Sequence, residues 1–362
     1  MGIAKYWICS IALAFLFVAV WSCERDDNEP STGAKSISRL YVSTSNYDAN
    51  VSSPLRNVFV IDPADKEEFP TLNRVLKFAS DLKGGNAIYY NDSTGLVFQS
   101  SYNYSNYIDT SIRVLGVSNT GAVAQVARLR NRRLTKVRGL EYSPSFDQLY
   151  AINVGRDTIS VFAFDTPRNR REFVKIAKEV MLDFTPWAMQ LVHYDLYLSK
   201  TGNNGGVVVY KNFVPTLNAG SDKDTLVNIL PSYTLTVSGA TDIQGMAYSP
   251  SKDLLVLTDV SGSASRILIF EGFSAHSSAG AISPTRIITG GDTKLQQPVN
   301  VALDNREDSD WIYVADAGAK RIFRFGMLGE GNVAPSAEMI LGADVNSPYT
   351  PVSLSLMSFK GN

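Results

Sequence analysis

The chain has 362 residues, 44% of them hydrophobic and 19% charged, which suits a well-packed core and excludes a disordered or coiled-coil chain. Thirty-four Lys and Arg against 35 Asp and Glu leave a formal net charge of −1, so no charge excess points to nucleic acid as a partner. His193 and His276 are too few for a three-His zinc site, and Cys9 and Cys23 both precede the globular part, which has neither disulfide nor thiol chemistry.

Residues 1–23 read MGIAKYWICSIALAFLFVAVWSC, with Lys5 ahead of an apolar run from Tyr6 to Trp21 and small Ser22 just before Cys23. A basic start, an apolar stretch below membrane-spanning length and a small residue at the cut predict a signal peptide over residues 1–22. Val20-Trp21-Ser22-Cys23 resembles a bacterial lipobox, with bulky Trp21 departing from the pattern. The resemblance implies lipidation of Cys23, and several acyl chains on one cysteine anchor far more stably than a single chain. Residues 23–36 then read as a lipidated cysteine and flexible polar tether. Its acidic start, Glu24, Asp26, Asp27 and Glu29, resembles the surface-export signal of lipoproteins in the Bacteroides group. The implied place is the cell envelope, on a lipid-anchored chain at the outer membrane that faces either the periplasm or the exterior.

Residues 37–362 repeat. One apolar strand pattern recurs as NAIYYND from Asn86, RGLEYSP from Arg138, WAMQLVH from Trp187, QGMAYSP from Gln244, VNVALDN from Val299 and VSLSLMS from Val352. The steps are 52, 49, 57, 55 and 53 residues. The first five of these are followed by a second β-rich run (GLVFQSS, DQLYAIN, YDLYLSK, DLLVLTD, DWIYVAD) and by a third (SIRVLGV, TISVFAF, GVVVYKN, RILIFEG, RIFRFGM). A less regular fourth closes most units. Short β-branched and aromatic runs between Gly, Asn, Asp and Ser turns predict four-stranded antiparallel sheets. Helical periodicity is absent beyond the signal peptide, and Arg171–Val180 reads as a strand or a single turn.

Such an array predicts an all-β chain folded as a β-propeller. One period before Asn86 the chain is still in the tether, yet SRLYVST from Ser38 and NVFVIDP from Asn57 are present as outer strands. The missing inner strand is supplied by Pro351–Ser358 at the C-terminus, so the expectation is six blades with the first closed by the last strand. PVNVALDNREDSDWIYVADAGAKRIFRF, from Pro298 to Phe325, resembles an NHL repeat. RGLEYSPSFDQLYAIN and QGMAYSPSKDLLVLTD resemble units of gluconolactonase-type and YncE-like propellers. These motifs encode strands and turns and say little of chemistry.

In a propeller, the loops joining strand 2 to 3, and strand 4 to the next inner strand, open on one face around the channel mouth. That face is expected to carry Asn86, Arg138, Trp187, Gln244, Val299 and Val352 at the starts of the inner strands. It should also carry SSYNYSNYIDTS, with Tyr102, Tyr104 and Tyr107, whose rigid amphipathic rings suit sugars or proteins. The basic run RLRNRRLTKVR, with Arg130, Arg132, Arg133 and Arg138, should reach the same rim, where guanidinium groups favour carboxylates, phosphates or sulfates. An ordinary wet surface explains each of these features equally well.

Catalytic signals are sparse. The gluconolactonase resemblance implies a divalent cation in the channel held by Glu, Asn and Asp, often with an Asn-Gly pair, but Arg138-Gly139 and Gln244-Gly245 stand at the matching places. Glu141, Asp242 and Asn300 could hold a hard cation such as Ca²⁺ only with backbone and water help. There is no Gly-x-Ser-x-Gly elbow and no phosphate loop. The expected function is therefore non-catalytic binding or scaffolding at the envelope, with a glycan or an envelope protein as partner. The alternative is a metal-assisted hydrolase or lactonase with its site in the central channel.

Overall fold

The structure, a computed structural model, describes residues 36–47, 55–169, 173–221 and 223–360. The signal peptide, Cys23 and nearly all of the tether lie outside the described residues. Ile37–Phe359 form one compact unit.

Among the described residues, twenty-five strands make six sheets. Blade 1 holds β1 (Ile37–Thr44), β2 (Val58–Ile61) and β3 (Leu76–Phe78). Blade 2 holds β4 (Gly85–Asn91), β5 (Leu96–Ser101), β6 (Ser111–Val117) and β7 (Val123–Arg130). Blade 3 holds β8 (Lys136–Ser143), β9 (Gln148–Val154), β10 (Ile159–Asp165) and β11 (Lys178–Leu182). Blade 4 holds β12 (Pro186–Val192), β13 (Asp195–Lys200), β14 (Gly206–Tyr210) and β15 (Tyr233–Val237). Blade 5 holds β16 (Ile243–Ser249), β17 (Leu254–Asp259), β18 (Arg266–Glu271) and β20 (Arg286–Thr289). It lends β19 (Gly280–Ile282) to blade 4, where it pairs in parallel with β15 as a fifth strand. Blade 6 holds β21 (Pro298–Leu303), β22 (Trp311–Asp316), β23 (Arg321–Gly326) and β24 (Ala337–Ile340).

The chain then returns as β25 (Pro351–Phe359), which pairs antiparallel with β1 from Ile37↔Phe359 to Thr44↔Pro351 and completes blade 1. The expected closure is present. Each inner strand packs on the next, from β25 through β4, β8, β12, β16 and β21 back to β25, so no inner edge is left open.

The core lies between blades rather than within one layer. Six apolar clusters fill the six blade interfaces, for example Phe98, Leu140 and Phe162 between blades 2 and 3, and Val207, Leu255 and Phe270 between blades 4 and 5. Both faces of a blade are thereby covered. This is why VFVI in β2 and LLVLTD in β17 are buried at every position instead of alternating. On the face away from the mouth, the turns from the first to the second strand need a left-handed residue. Gly95, Asp147, His193 and Asp253 supply it at φ 62°, 47°, 55° and 47°.

Two arginines, buried Arg324 and partly buried Arg306, lock blade 6 to blade 1. Arg324, 1% exposed, lies 4.3 Å from the Trp311 ring and 5.3 Å from Phe69. Its guanidinium donates to the carbonyls of Ala64, Lys66 and Glu67 in the β2–β3 loop. Arg306 bridges Asp304 and Asp65. Besides four three-residue 3-10 turns, one α-helix among the described residues escaped the sequence pattern: α1 (Phe213–Asn218), a six-residue helix between β14 and β15. It is too short to show a 3.6-residue period and is held by burying Phe213, Val214 and Leu217. Of the Arg171–Val180 stretch, Lys178–Val180 belong to β11.

Candidate functional site

The start of every inner strand carries a β-bulge. The pairing register slips past Asn86 in β4, Arg138 in β8, Trp187 in β12, Gln244 in β16, Val299 in β21 and Val352 in β25. A bulge takes a side chain out of the pleat and re-aims it. The loops leading into these bulges are fixed by a side chain at or next to the end of the second strand, the terminal residue of the YAIN, VLTD and YVAD motifs. Asn153 accepts the Thr135 amide at 2.8 Å, Asp259 the amides of Thr241 and Asp242, and Asp316 those of Gln296 and Gln297.

Five of these six residues, Asn86, Arg138, Trp187, Val299 and Val352, line one cavity of about 170 Å³ at the channel mouth, together with Tyr102, Lys136 and Gln297. Arg138 lies flat on Trp187, 4.4 Å from the ring centre, and donates to the Pro186 carbonyl at 3.1 Å. Lys136 stands 5.9 Å from the Tyr102 ring. Asn86 donates to the Val137 carbonyl at 2.6 Å. Gln244 does not join this cavity, because its amide is turned to Asp242 at 2.7 Å.

Tyr102 starts a run of rings. Tyr104 lies 5.0 Å from it, Tyr47 lies 5.2 Å from Tyr104, and Tyr107 lies 5.6 Å from Tyr47. Lys83 caps the run, 5.0 Å from Tyr107 and 5.5 Å from Tyr47. The loop is pinned: Asn103, at φ 58°, accepts the Asp109 amide, and the Tyr104 hydroxyl donates to the Ser45 carbonyl.

The basic run divides instead of forming one rim with the tyrosines. Lys136 and Arg138 reach the mouth, whereas Arg130 and Arg132 stack on Phe173, at 4.8 and 5.8 Å, and Arg133 forms a two-pronged pair with Glu179 of β11. The cause is the twist of the blade, which carries the end of outer strand β7 across to the outer strand of blade 3.

Below the mouth a cavity of about 210 Å³ is lined by all six inner strands, and Arg138 lines both spaces. The fourth residue of each repeat faces this channel: Tyr89, Glu141, Gln190, Ala247, Ala302 and Ser355. Their polar members satisfy main-chain amides of the following blade, which an unpaired inner edge would leave orphaned. Tyr89 takes the Tyr142 amide, Glu141 the Leu191 amide, Gln190 the Tyr248 amide at 2.6 Å and Ser355 the Tyr90 amide at 2.9 Å. Between blades 5 and 6 the strands touch directly, since a Cβ on Gly245 would lie 2.8 Å from Asn300 Cα.

Glu141 is the one carboxyl of this ring. Burial pushes its pKa up to about 8 against the pull of the Tyr89 hydroxyl and the Leu191 amide, so it is largely protonated at neutral pH. Burial likewise raises the Tyr89 hydroxyl. Of the residues expected to hold a cation, Glu141 and Asn300 share the channel cavity and Asp242 does not line it. Glu141 and Asn300 face the channel from blades 3 and 6, and the Asn300 oxygen already accepts the Leu354 amide at 3.2 Å. Asp242 lies outside that cavity and accepts the Gly202 amide and the Gln244 side chain. Among the described residues no three His, Cys, Asp or Glu side chains form a group fit for a metal.

Sequence reasoning missed the channel ring, Tyr47 and Lys83. The ring was readable in the repeat, whose fourth column runs Tyr, Glu, Gln, Ala, Ala, Ser. Tyr47 and Lys83 had no such signal, because they lie in mouth loops whose length and sequence differ from blade to blade.

No family model and no curated protein matches this chain. Among solved structures, a chain of the nidogen/laminin complex is similar over 88% of this chain and 98% of its own, with 11% identity and a TM-score of 0.54. A candidate 6-phosphogluconolactonase from Bacteroides uniformis is similar over 89% of this chain and 100% of its own, at 14% identity and a TM-score of 0.53. A second, from Bacteroides fragilis, is similar over 91% and 100%, at 13% identity and a TM-score of 0.50. At these identities the likeness is one of fold, and chemistry has to be argued from the site.

Proposed function

We propose that this protein is a non-catalytic binding propeller of the cell envelope that takes a glycan at its channel mouth. The observation that carries the reading is the convergence of Tyr102, Lys136, Arg138 and Trp187 on one cavity, with three further tyrosines leading away from it at 5.0–5.6 Å steps. Aromatic faces hold sugar rings at little entropic cost, and Asn86 and Gln297 supply polar contacts beside them. The choice of binding over metal-assisted hydrolysis is supported by the donor oxygens: Asp242 lies outside the channel that Glu141 and Asn300 line, and each already accepts a hydrogen bond within the fold.

Titration of the full chain, in detergent, with the saccharides it selects on a glycan array tests this. Tyr102→Ala is expected to weaken binding about three- to tenfold, the worth of one aromatic contact. Tyr194→Ala, on the opposite face, should leave it unchanged. Failure of the wild type to bind any saccharide, or an unaffected Tyr102→Ala, overturns the glycan reading.

The envelope location rests on the lipobox resemblance at Cys23. Cys23→Ala is expected to move the protein from the membrane to the soluble fraction. Palmitate labelling that persists in that variant refutes the anchor.

A further inference from the structure

We infer that Lys136 and Arg138 form an anion subsite that selects an acidic sugar, with its carboxylate or sulfate set between them. This inference rests on the glycan reading and narrows it. Among the described residues the two are the only charged side chains lining the mouth cavity, and both are positive. They stand two apart on β8, around the bulge at Arg138.

Several other arginines of the protein are matched by carboxylates, Arg39 by Asp62, Arg113 by Asp109, Arg133 by Glu179, Arg266 by Asp259 and Arg306 by Asp304, while buried Arg324 is held by main-chain carbonyls. Lys136 and Arg138 have no carboxylate within ion-pair distance among the described residues. Asp242 is close enough to steady Arg138 electrostatically, but its oxygens serve Gly202 and Gln244. Arg138 spends one nitrogen on the Pro186 carbonyl and leaves its Nε buried without an acceptor. A buried donor without a partner costs free energy, and a guanidinium without a carboxylate partner favours an oxyanion.

Electrostatics agree. Burial lowers the pKa of Lys136, and repulsion from Arg138 lowers it further, so the pair is short of negative charge. Each cation lies against a ring face, Lys136 on Tyr102 and Arg138 on Trp187, which places charge and stacking surface side by side. About 170 Å³ is small beside the roughly 300–1,000 Å³ of pockets for drug-sized ligands. The subsite therefore takes one ring or one chain end, and the tyrosine run accommodates the rest of the saccharide.

The test is calorimetric titration of the full chain, in detergent, with four probes: an oligogalacturonate, a carrageenan oligosaccharide that carries sulfate and no carboxylate, a neutral cello-oligosaccharide of equal length, and inorganic sulfate. At least one acidic oligosaccharide is expected to bind at least tenfold more tightly than the neutral one, and more weakly as salt rises. Which one binds separates carboxylate from sulfate. Lys136→Gln and Arg138→Gln should each lose about tenfold, with melting temperatures recorded as a folding control. If Arg138→Gln does not fold, Lys136→Glu replaces it and should abolish binding of the acidic probe. Equal binding of the neutral probe, with unaffected lysine and arginine variants but a weakened Tyr102→Ala, overturns the anion subsite and leaves the glycan reading intact. No binding of any oligosaccharide overturns both, and inorganic sulfate binding alone refutes the sugar.

Discussion

Truncation before Pro351 is expected to leave a chain that aggregates or melts without a cooperative transition. The lost segment contains β25, which pairs with β1 along its whole length, from Ile37↔Phe359 to Thr44↔Pro351. Removing it strips the ladder from β1, takes buried Leu354 out of the core that also holds Leu40, Val42 and Val299, and takes away Ser353 and Ser355, whose hydroxyls accept the amides of Ile88 and Tyr90. At about 1 kcal/mol for each ladder bond, plus the apolar burial, the loss is on the order of 10 kcal/mol. That matches the entire stability of a typical domain, about 5–15 kcal/mol. The register also supplies the control. Phe359 lies beside Ile37, so a short turn can join Pro351–Phe359 to the front of β1. That permuted chain should melt near the wild-type temperature. An unchanged melting temperature for the simple truncation would refute closure by β25.

Glu141→Gln is expected to stabilise the protein in alkaline solution and to leave it nearly unchanged in acid. Glutamine keeps an oxygen for the Leu191 amide and cannot ionise. The folded-state pKa of Glu141, about 8, stands above the ordinary 4.5. Below about pH 4.5, folded and unfolded chains both hold the proton, and the stability tied to it is fully present. Between 4.5 and 8 only the unfolded chain releases it, so the wild type loses up to about 1.4 kcal/mol per pH unit; above 8 the loss is complete. The gap between variant and wild type should therefore open to about 2–5 kcal/mol by pH 8.5. Urea unfolding at pH 4.5, 6.5 and 8.5 measures it. A gap that does not change with pH would mean that Glu141 titrates as an ordinary surface carboxyl.

How much was legible from residues alone differs from place to place. Blade number, closure and the six residues at the inner-strand starts were readable because a repeat of 49–57 residues writes each blade in similar letters. Position along a strand is preserved by the repeat, so Asn86, Arg138 and Trp187 each fall on the bulge that opens their inner strand. Direction around the barrel axis is not preserved. Blade twist swings the end of β7 outward, and Arg130, Arg132 and Arg133 go with it to Phe173 and Glu179. Arg324, in RIFRF, looks like a solvated residue of an alternating strand. It is buried because a neighbouring blade covers the face that solvent would otherwise occupy. What a single sequence hides is the contact made across blades, where partners lie tens or hundreds of residues apart.

The strand that closes the ring is also the last to be made. β1 ends at Thr44 and β25 begins at Pro351, so about 300 residues must be synthesised after β1 before its partner exists. At about 5–20 residues per second this is roughly 15–60 s. During that interval β1 has one bare edge, although the β2–β3 loop that Arg324 and Arg306 grip has already been made. The first blade is therefore oldest in the chain and among the last to become native. A cell making this protein has to shield that edge for the whole of synthesis, and any event that stops translation early yields an open arc with two adhesive ends.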